Sequence, residues 1–439
     1  MKKIIALLFC FSALWAGAAV SAPKNEAKKT PTAVKQSPKA KLQILCTPES
    51  HIAKEGELVK FAITSTSPRP LEVTISLDGS DAKVFKKVTV KSPAVVTASL
   101  STPGFLHCLV RTKGAKCSRG VAVAPEKIRY ARKAPADFKQ FWASALAESK
   151  ALPLDLKCKA INPYPKYNSF LVSCANVNGK RAYALYAYPK KAKGKLPLQV
   201  MFGGGEAYWN KTCVPSGAKG AAKRFGQDMA VLYLHLPPYE PADDPEKARN
   251  GHKEFLKKLG LRRYILVGME DPKQFYAYSA LLGCLRLLNA VAERPEIDKE
   301  KVVFYGASHG GKIGAYLARF FSFKAVFLGV PSSCEINAFK EGRYGSAARE
   351  WRVGDRWKTT DYFDLVYFAP DIKCPVLVGV GFHDRSCPPT GVYSFYNALP
   401  EGNKKIINKI HHGHGDVPEG YVAASWKFLA DRIAPQGKK

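Results

Sequence analysis

The chain has 439 residues, of which 46% are hydrophobic and 24% are charged. These proportions are ordinary for globular proteins and exclude a chain that is disordered throughout. The length predicts two or three domains, which can bury their cores without metal or disulfide support. Lys and Arg number 68 against 36 Asp and Glu, so the net charge of +32 favours anionic partners but carries no information about the fold.

The N-terminal residues have the pattern of an export signal. Two lysines precede an apolar run at 4–20, which is followed by small residues up to Ala22. We predict a cleaved signal peptide at 1–22, and therefore a secreted or periplasmic protein without stable membrane insertion; a retained anchor is the alternative. Residues 23–41 are rich in Lys, Pro and Ala, which predicts a flexible basic linker.

Residues 42–125 predict a small all-β, immunoglobulin-like sandwich. Short β-branched segments, such as LEVTISL and GFLHCLVRT, are separated by turn residues at the spacing of an all-β domain. An exported chain permits disulfides. Cys46 and Cys108 could bridge the two sheets, and Cys117 competes for either partner.

Residues 126–435 alternate between buried strands and helices. The runs PLQVMFGGG, KVVFYGAS and CPVLVGVGF are almost continuously apolar, which is typical of strands buried on both faces of a parallel sheet. Helical stretches lie between them. This pattern predicts an α/β fold with a doubly wound, mostly parallel sheet, whose active groups collect at the carboxyl ends of the strands.

The sharpest local signal is the G-x-S-x-G motif at Gly306–Gly310, between a buried strand and a helix. In this context the motif predicts a nucleophile elbow that exposes the hydroxyl of Ser308. The turn is tight, so a bulky neighbour would clash and glycines at both ends make physical sense. A glycine-rich turn with an idle serine is the alternative.

A serine hydroxyl needs a base to become a good nucleophile. In an α/β fold with this elbow, the acid and then the histidine follow the serine along the chain. Asp384 lies just past a buried strand, and His414 lies further on, near the C-terminus. Asp384 would hold one ring nitrogen of His414, which leaves the other nitrogen to take the proton of Ser308.

Other histidines compete for the role of base. We prefer His414 to His411 and His412 because it is flanked by glycines, in a loop that could present one imidazole. The three histidines and Asp416 could also bind a metal, but no helical i, i+4 pair supports this alternative. We therefore predict no metal site.

Two further acids and one histidine are weaker candidates. Asp361 and Asp364 are rival acids, but neither ends an apolar strand. His383 adjoins Asp384 and is predicted to be a surface or supporting residue.

Acyl transfer also requires donors for the oxyanion. One should be the backbone N–H after the nucleophile, which belongs to His309. The other should come from the loop after an earlier strand, where Gly203–Gly205 allow the backbone to approach a ligand closely. A plain glycine turn is the alternative reading of that run.

Residues 127–430 resemble the acetyl xylan esterase and cephalosporin C deacetylase family, which is carbohydrate esterase family seven of the α/β-hydrolases. The resemblance lies in ERPEIDKEKVVFYGASHGG, YFAPDIKCPVLVGVGFHDRSCPP and the GHG at 413–415. It implies a triad of Ser308, Asp384 and His414, with the backbone amides of Gly204 and His309 as oxyanion donors. The family usually has Gln where this chain has His309, and His-Gly-Tyr where it has Phe202-Gly203-Gly204.

The resemblance implies a secreted serine esterase that removes acetyl or similar acyl groups from a carbohydrate, without a metal or organic cofactor. A prolyl-oligopeptidase-type peptidase and a non-catalytic carbohydrate-binding protein are the alternatives. The basic charge favours an anionic polysaccharide as a partner. Nucleic acid is not expected, because Lys and Arg are spread along the chain without a recognition motif. An oligomer is compatible with the sequence.

Overall fold

The computed structural model describes residues 40–161, 166–205, 211, 213–346 and 348–434. The predicted signal peptide at 1–22 and nearly all of the predicted linker at 23–41 lie outside the described residues. Within the described ranges, no helix combines the length and the apolar composition that crossing a bilayer requires.

The N-terminal region is built from two small sheets. A three-stranded sheet has the order β1-β3-β6, and a five-stranded sheet has the order β2-β8-β7-β4-β5. The strands are β1 (Leu42–Thr47), β2 (Ile52–Ala53), β3 (Val59–Ser65), β4 (Leu71–Leu77), β5 (Val84–Val90), β6 (Ala94–Ala98), β7 (Gly104–Thr112) and β8 (Ala115–Val123). The predicted all-β sheets are therefore present.

Alternating side chains hold the two small sheets together. Val59, Phe61 and Ile63 on β3 are buried, whereas their neighbours face outward, as expected for a strand with one face on a core. Cys46 and Cys108 are buried in the same core, and Cys117 packs against it. All three are free thiols, so the bridge that the sequence allowed between the sheets is not formed.

The remaining strands form one nine-stranded sheet with the order β17-β16-β15-β14-β12-β13-β11-β10-β9. The six strands β17, β16, β15, β14, β12 and β13 pair in parallel. Strands β11, β10 and β9 add an antiparallel edge next to β13. The strands are β9 (Lys157–Ala160), β10 (Tyr167–Ala175), β11 (Arg181–Pro189), β12 (Leu196–Phe202), β13 (Ala230–His235), β14 (Ile297–Ala307), β15 (Ala325–Gly329), β16 (Val376–Gly381) and β17 (Lys404–Lys409).

Helices cover both faces of this sheet. Val303 and Phe304 on β14 point to opposite faces: Phe304 joins a core with α4 and α5, and Val303 joins one with α2 and α8. The helices are α1 (Phe138–Ala151), α2 (Cys213–Phe225), α3 (Pro245–Lys258), α4 (Tyr276–Ala292), α5 (His309–Phe320), α6 (Arg356–Asp361), α7 (Pro389–Ala398) and α8 (Tyr421–Ile433). The predicted doubly wound, mostly parallel α/β fold is confirmed.

Short 3₁₀ helices occur in the connections of the α/β region. They span Pro125–Lys127, Tyr264–Leu266, Ala338–Glu341, Arg349–Arg352, Leu365–Tyr367 and Ala369–Asp371.

The β region packs directly onto the α/β region near the carboxyl end of β16. Ser118 on β8 hydrogen-bonds through its Oγ to His383 Nδ1 at 3.1 Å. His383, predicted as a surface or supporting residue, is thus half-buried at this contact. The ring of His51 lies edge-on to that of His411, with centroids 4.9 Å apart. The two regions therefore meet beside the loops that follow β16 and β17.

Candidate active site

Ser308 occupies a strained turn between β14 and α5. Its φ of 57° and ψ of −117° lie outside the regions that non-glycine residues usually adopt. A Cβ added at Gly306 would lie 2.6 Å from the backbone of Gly310, and one added at Gly310 would lie 2.4 Å from the Phe202 carbonyl oxygen. Both glycines are therefore required by close backbone packing, and the turn holds the Ser308 hydroxyl at the end of the sheet.

Asp384 follows β16 and is fully buried. Its Oδ1 accepts hydrogen bonds from the backbone N–H groups of Ser386 and Cys387, at 2.8 and 2.9 Å. Its Oδ2 lies 2.7 Å from His414 Nδ1. The loop thus fixes one carboxylate oxygen on the backbone and leaves the other to orient the imidazole.

His414 lies in the loop after β17, and its Nε2 is 3.0 Å from Ser308 Oγ. The loop is braced by the buried ammonium of Lys409, which donates to the carbonyl oxygens of Gly413 and Asp416 at 3.1 and 2.9 Å. Asp416 in turn accepts from the backbone N–H of Gly413. The structure therefore brings together the three predicted residues Ser308, Asp384 and His414.

The two predicted oxyanion donors also lie beside the serine. His309 is the first residue of α5, where backbone N–H groups have no partner within the helix. A Cβ added at Gly204 would lie 4.0 Å from Ser308 Cβ, so the backbone of Gly204 borders the nucleophile. A glycine here leaves the space beside Ser308 open.

The side chain of His309 performs a task that sequence reasoning missed. Its Nδ1 donates to the carbonyl oxygen of Gly205 at 2.5 Å, which ties the glycine loop to the start of α5. Its Nε2 lies 3.4 Å from the hydroxyl of Tyr276. Burial, together with the charge of Lys312, lowers the pKa of His309 well below its usual value. A neutral ring with its proton on Nδ1 can donate to the carbonyl oxygen of Gly205 and accept from the hydroxyl of Tyr276 at Nε2.

Lys312, also on α5, contacts the same hydroxyl of Tyr276. It is 3% exposed, and its Nζ donates to the hydroxyl of Tyr276. Burial, with a contribution from the positive charge of Arg263, lowers the pKa of Lys312 to about 7. In the sequence, Lys312 is one of several polar positions in α5, together with His309 and Arg319, and nothing local indicates its surroundings.

Among the described residues, His411, His412, His414 and Asp416 do not come together as a set of metal ligands. His411 lies against His51 at the β region, away from Ser308. Among the described residues, the one group with metal-ligand spacing is Asp384, Cys387 and His414, which includes the predicted acid and base themselves. His411, His412 and Asp416 take no part in it.

The rival acids have other partners. Asp361 pairs with Arg132 at 3.1 Å and accepts from Asn337 at 2.7 Å. Asp364 accepts hydrogen bonds from the backbone N–H groups of Glu335, Ile336 and Val366. Both carboxylates brace loops and neither forms a hydrogen bond or ion pair with the described histidines.

A cavity of about 570 Å³ opens beside Ser308 and His309. Residues 80–82 of the β region form part of its wall, together with Tyr276 and Arg385 from the α/β region. The cavity adjoins the Ser308 hydroxyl, and both regions of the chain border it.

Comparison with known proteins identifies the family. The family described as acetyl xylan esterase (AXE1) matches residues 126–431. Acetyl esterase Axe7A of Xylanibacter ruminicola is 25% identical over 394 residues, which cover 85% of this chain and 87% of that protein.

Two solved structures share the fold. Acetyl xylan esterase from a Paenibacillus species is 23% identical with a TM-score of 0.57, covering 70% of this chain and 98% of that one. Acetyl xylan esterase 1 from a Thermoanaerobacterium species is 21% identical with a TM-score of 0.59, covering 71% and 98%. Since the family match spans most of the chain, this protein belongs to the acetyl xylan esterase family and is a carboxylic ester hydrolase of the serine hydrolase type.

Proposed function

We propose that this protein removes acetyl groups from an acylated carbohydrate, with Ser308 as nucleophile, His414 as general base and Asp384 as the acid that orients it. The observation that carries the proposal is the continuous set of contacts from Asp384 Oδ2 to His414 Nδ1 at 2.7 Å and from His414 Nε2 to Ser308 Oγ at 3.0 Å. Both distances are within hydrogen-bonding range.

The reaction then runs in two halves. Ser308 Oγ attacks the ester carbonyl carbon while His414 Nε2 takes its proton, and the backbone N–H groups of Gly204 and His309 stabilise the oxyanion. His414 next gives its proton to the departing sugar hydroxyl, which leaves an acetyl-serine. Water, activated by His414, attacks this ester and releases acetate and free Ser308.

The substrate class follows from the family and from the size of the cavity. The named relatives are acetyl esterases and acetyl xylan esterases. A cavity of about 570 Å³ beside Ser308 suits a sugar carrying an acetyl group. The net charge of +32 further favours retention on an anionic polysaccharide, and the N-terminal pattern at 1–22 favours a secreted or periplasmic enzyme.

The test compares wild type with Ser308→Ala on acetylated xylo-oligosaccharides and on 4-nitrophenyl acetate. We expect the substitution to lower kcat by about 10⁴-fold or more on both substrates. Mass analysis should show that wild type releases acetate while the sugar chain stays intact. Equal rates for the two proteins would refute the assignment of Ser308, and cleavage of the sugar chain would refute the esterase reaction.

A further inference from the structure

Two basic side chains, Lys312 and Arg385, line the cavity beside Ser308, and among the described residues neither has a buried carboxylate as its partner. A concave site with an excess of one charge concentrates ligands of the opposite charge. The lining therefore points to an anionic group on the ligand.

Lys312 is the strongest indication of an anionic ligand. It lies in the first turn of α5, where the helix dipole disfavours a cation. It is 3% exposed, and among the described residues no carboxylate forms an ion pair with its Nζ, which donates to the neutral hydroxyl of Tyr276. Burial lowers the pKa of Lys312 to about 7, and a negative group beside its Nζ would favour the protonated, charged form.

Arg385 places a second cation at the rim, and the β region positions it. A Cβ added at Gly79 would lie 2.9 Å from Arg385 Cγ, so the arginine stem packs over this glycine. Its Nη2 is 3.6 Å from Asp81 Oδ1, and the Asp81 side chain is 93% exposed. Such an exposed pair is weak, so Asp81 orients the guanidinium without removing its attraction for a ligand.

The turn that carries this contact is anchored in the α/β region. Asp78 is buried, and its Oδ1 accepts from the backbone N–H of Thr390 at the start of α7, at 3.2 Å. The segment 78–82 is thereby fixed against the loop that carries Asp384 and Arg385. The β region thus packs against the α/β region and also forms part of the cavity wall.

We propose that this cavity is a carboxylate subsite, with Lys312 at its floor and Arg385 at its rim, and that the preferred substrate is an acetylated glycan bearing a uronic acid near the ester. The inference rests on the proposed function, because it names the substrate class of the same site. Charge-assisted hydrogen bonds from a lysine and an arginine bind a carboxylate more tightly than a neutral group of similar size.

The experiment measures a selectivity ratio. The probes are an acetylated xylo-oligosaccharide carrying one glucuronic acid and the same compound with its carboxylate reduced to the alcohol. The ratio of kcat/KM for the acidic to the neutral probe is measured in wild type, Lys312→Met and Arg385→Gln. We expect a ratio of about 10 or more in wild type and a fall of about 10-fold in each variant.

Lys299→Gln is the matched control, because it removes one exposed lysine outside the cavity and should leave the ratio unchanged. Arg385→Gln alters an exposed rim residue, so it remains informative if the buried Lys312→Met fails to fold. Free glucuronate should inhibit wild type competitively, and more strongly than a sulfated monosaccharide. Stronger inhibition by the sulfated sugar would refute the choice of a carboxylate.

A ratio near one in wild type, or an unchanged ratio in both variants, would overturn the carboxylate subsite. If both probes are hydrolysed equally and Ser308→Ala abolishes both reactions, the esterase assignment stands and the subsite alone fails. If Ser308→Ala retains full activity, the proposed function itself fails.

Discussion

Gly120 of the β region lies directly against Phe382 of the α/β region. A Cβ added at Gly120 would be 1.9 Å from the Phe382 carbonyl oxygen, which is closer than any real contact. Phe382 lies two residues before Asp384, so the packing of the β region bears on the loop that carries the proposed catalytic acid.

We expect Gly120→Ala to destabilise the protein by about 2 kcal/mol or more, because the obstructing atom belongs to the backbone and cannot rotate away. The displaced acid loop should also lower kcat by about 10-fold. Urea unfolding and steady-state kinetics measure the two effects. Gly251→Ala is the control, because its Cβ meets no atom within 4 Å inside α3, and it should be neutral or slightly stabilising. Wild-type stability in Gly120→Ala would contradict this contact.

Asp78→Asn should make stability less dependent on pH. Burial raises the pKa of Asp78 to about 7, although the hydrogen bonds from Thr390 and the charge of Arg343 oppose the rise and Glu335 adds to it. A raised carboxyl pKa means that the folded state holds the proton longer than the unfolded state. The stability that this provides is complete below the usual value of 3.8 and is lost as the pH rises to about 7.

Asn remains neutral and can still accept from the Thr390 N–H. The advantage of Asp78→Asn over wild type should therefore grow by roughly a few kcal/mol between pH 4 and pH 8. Thermal or urea unfolding at several pH values measures it. Asp81→Asn, on the exposed neighbour, is the matched control. A constant difference between Asp78→Asn and wild type across this range would refute the raised pKa.

Asp384→Asn should abolish most of the activity while leaving the fold intact. Asn can keep the backbone hydrogen bonds from Ser386 and Cys387, but its NH₂ group would face His414 Nδ1 and favour the wrong tautomer. We expect kcat to fall by about 10³- to 10⁴-fold. Asp355→Asn, on an exposed acid, serves as the control. Activity within about 10-fold of wild type would rule out the role of Asp384 in orienting His414.

His309→Ala should lower kcat more than it raises KM. The backbone N–H of residue 309 is retained, but the carbonyl oxygen of Gly205 loses its donor and the loop with Gly204 loosens. We expect a loss of about 10- to 100-fold in kcat. His309→Gln can still donate to Gly205 and should recover part of this loss. If Ala and Gln variants behave alike, the hydrogen bond from His309 to Gly205 does not position the loop.

The local patterns of the sequence were enough for the fold class and the order of the site residues. The apolar run before Gly306 and the glycines around Ser308 can be read locally. The close packing of the turn requires glycine within two positions of the serine. The antiparallel edge formed by β9, β10 and β11 was not predicted, because the direction in which strands pair depends on their neighbours in the sheet.

The choice among histidines and acids needed the tertiary structure. His411, His412 and His414 share one loop, and the sequence separates them only by their glycine neighbours. In the fold, Lys409 braces the loop so that His414 lies 3.0 Å from Ser308 Oγ. Asp361 and Asp364 are aspartates like Asp384, but their hydrogen-bond and ion-pair partners lie in other loops.

The sequence by itself determined that a serine at a tight strand-to-helix turn would be followed by an acid and a histidine, because these signals are local and follow chain order. The tertiary structure alone decided that Lys312, Tyr276 and His309 form a buried set of contacts under the glycine loop. It alone placed residues 78–82 beside Arg385 at the mouth of the cavity. These residues are far apart along the chain, so their contacts depend on how the helices and the two regions pack, which local patterns do not encode.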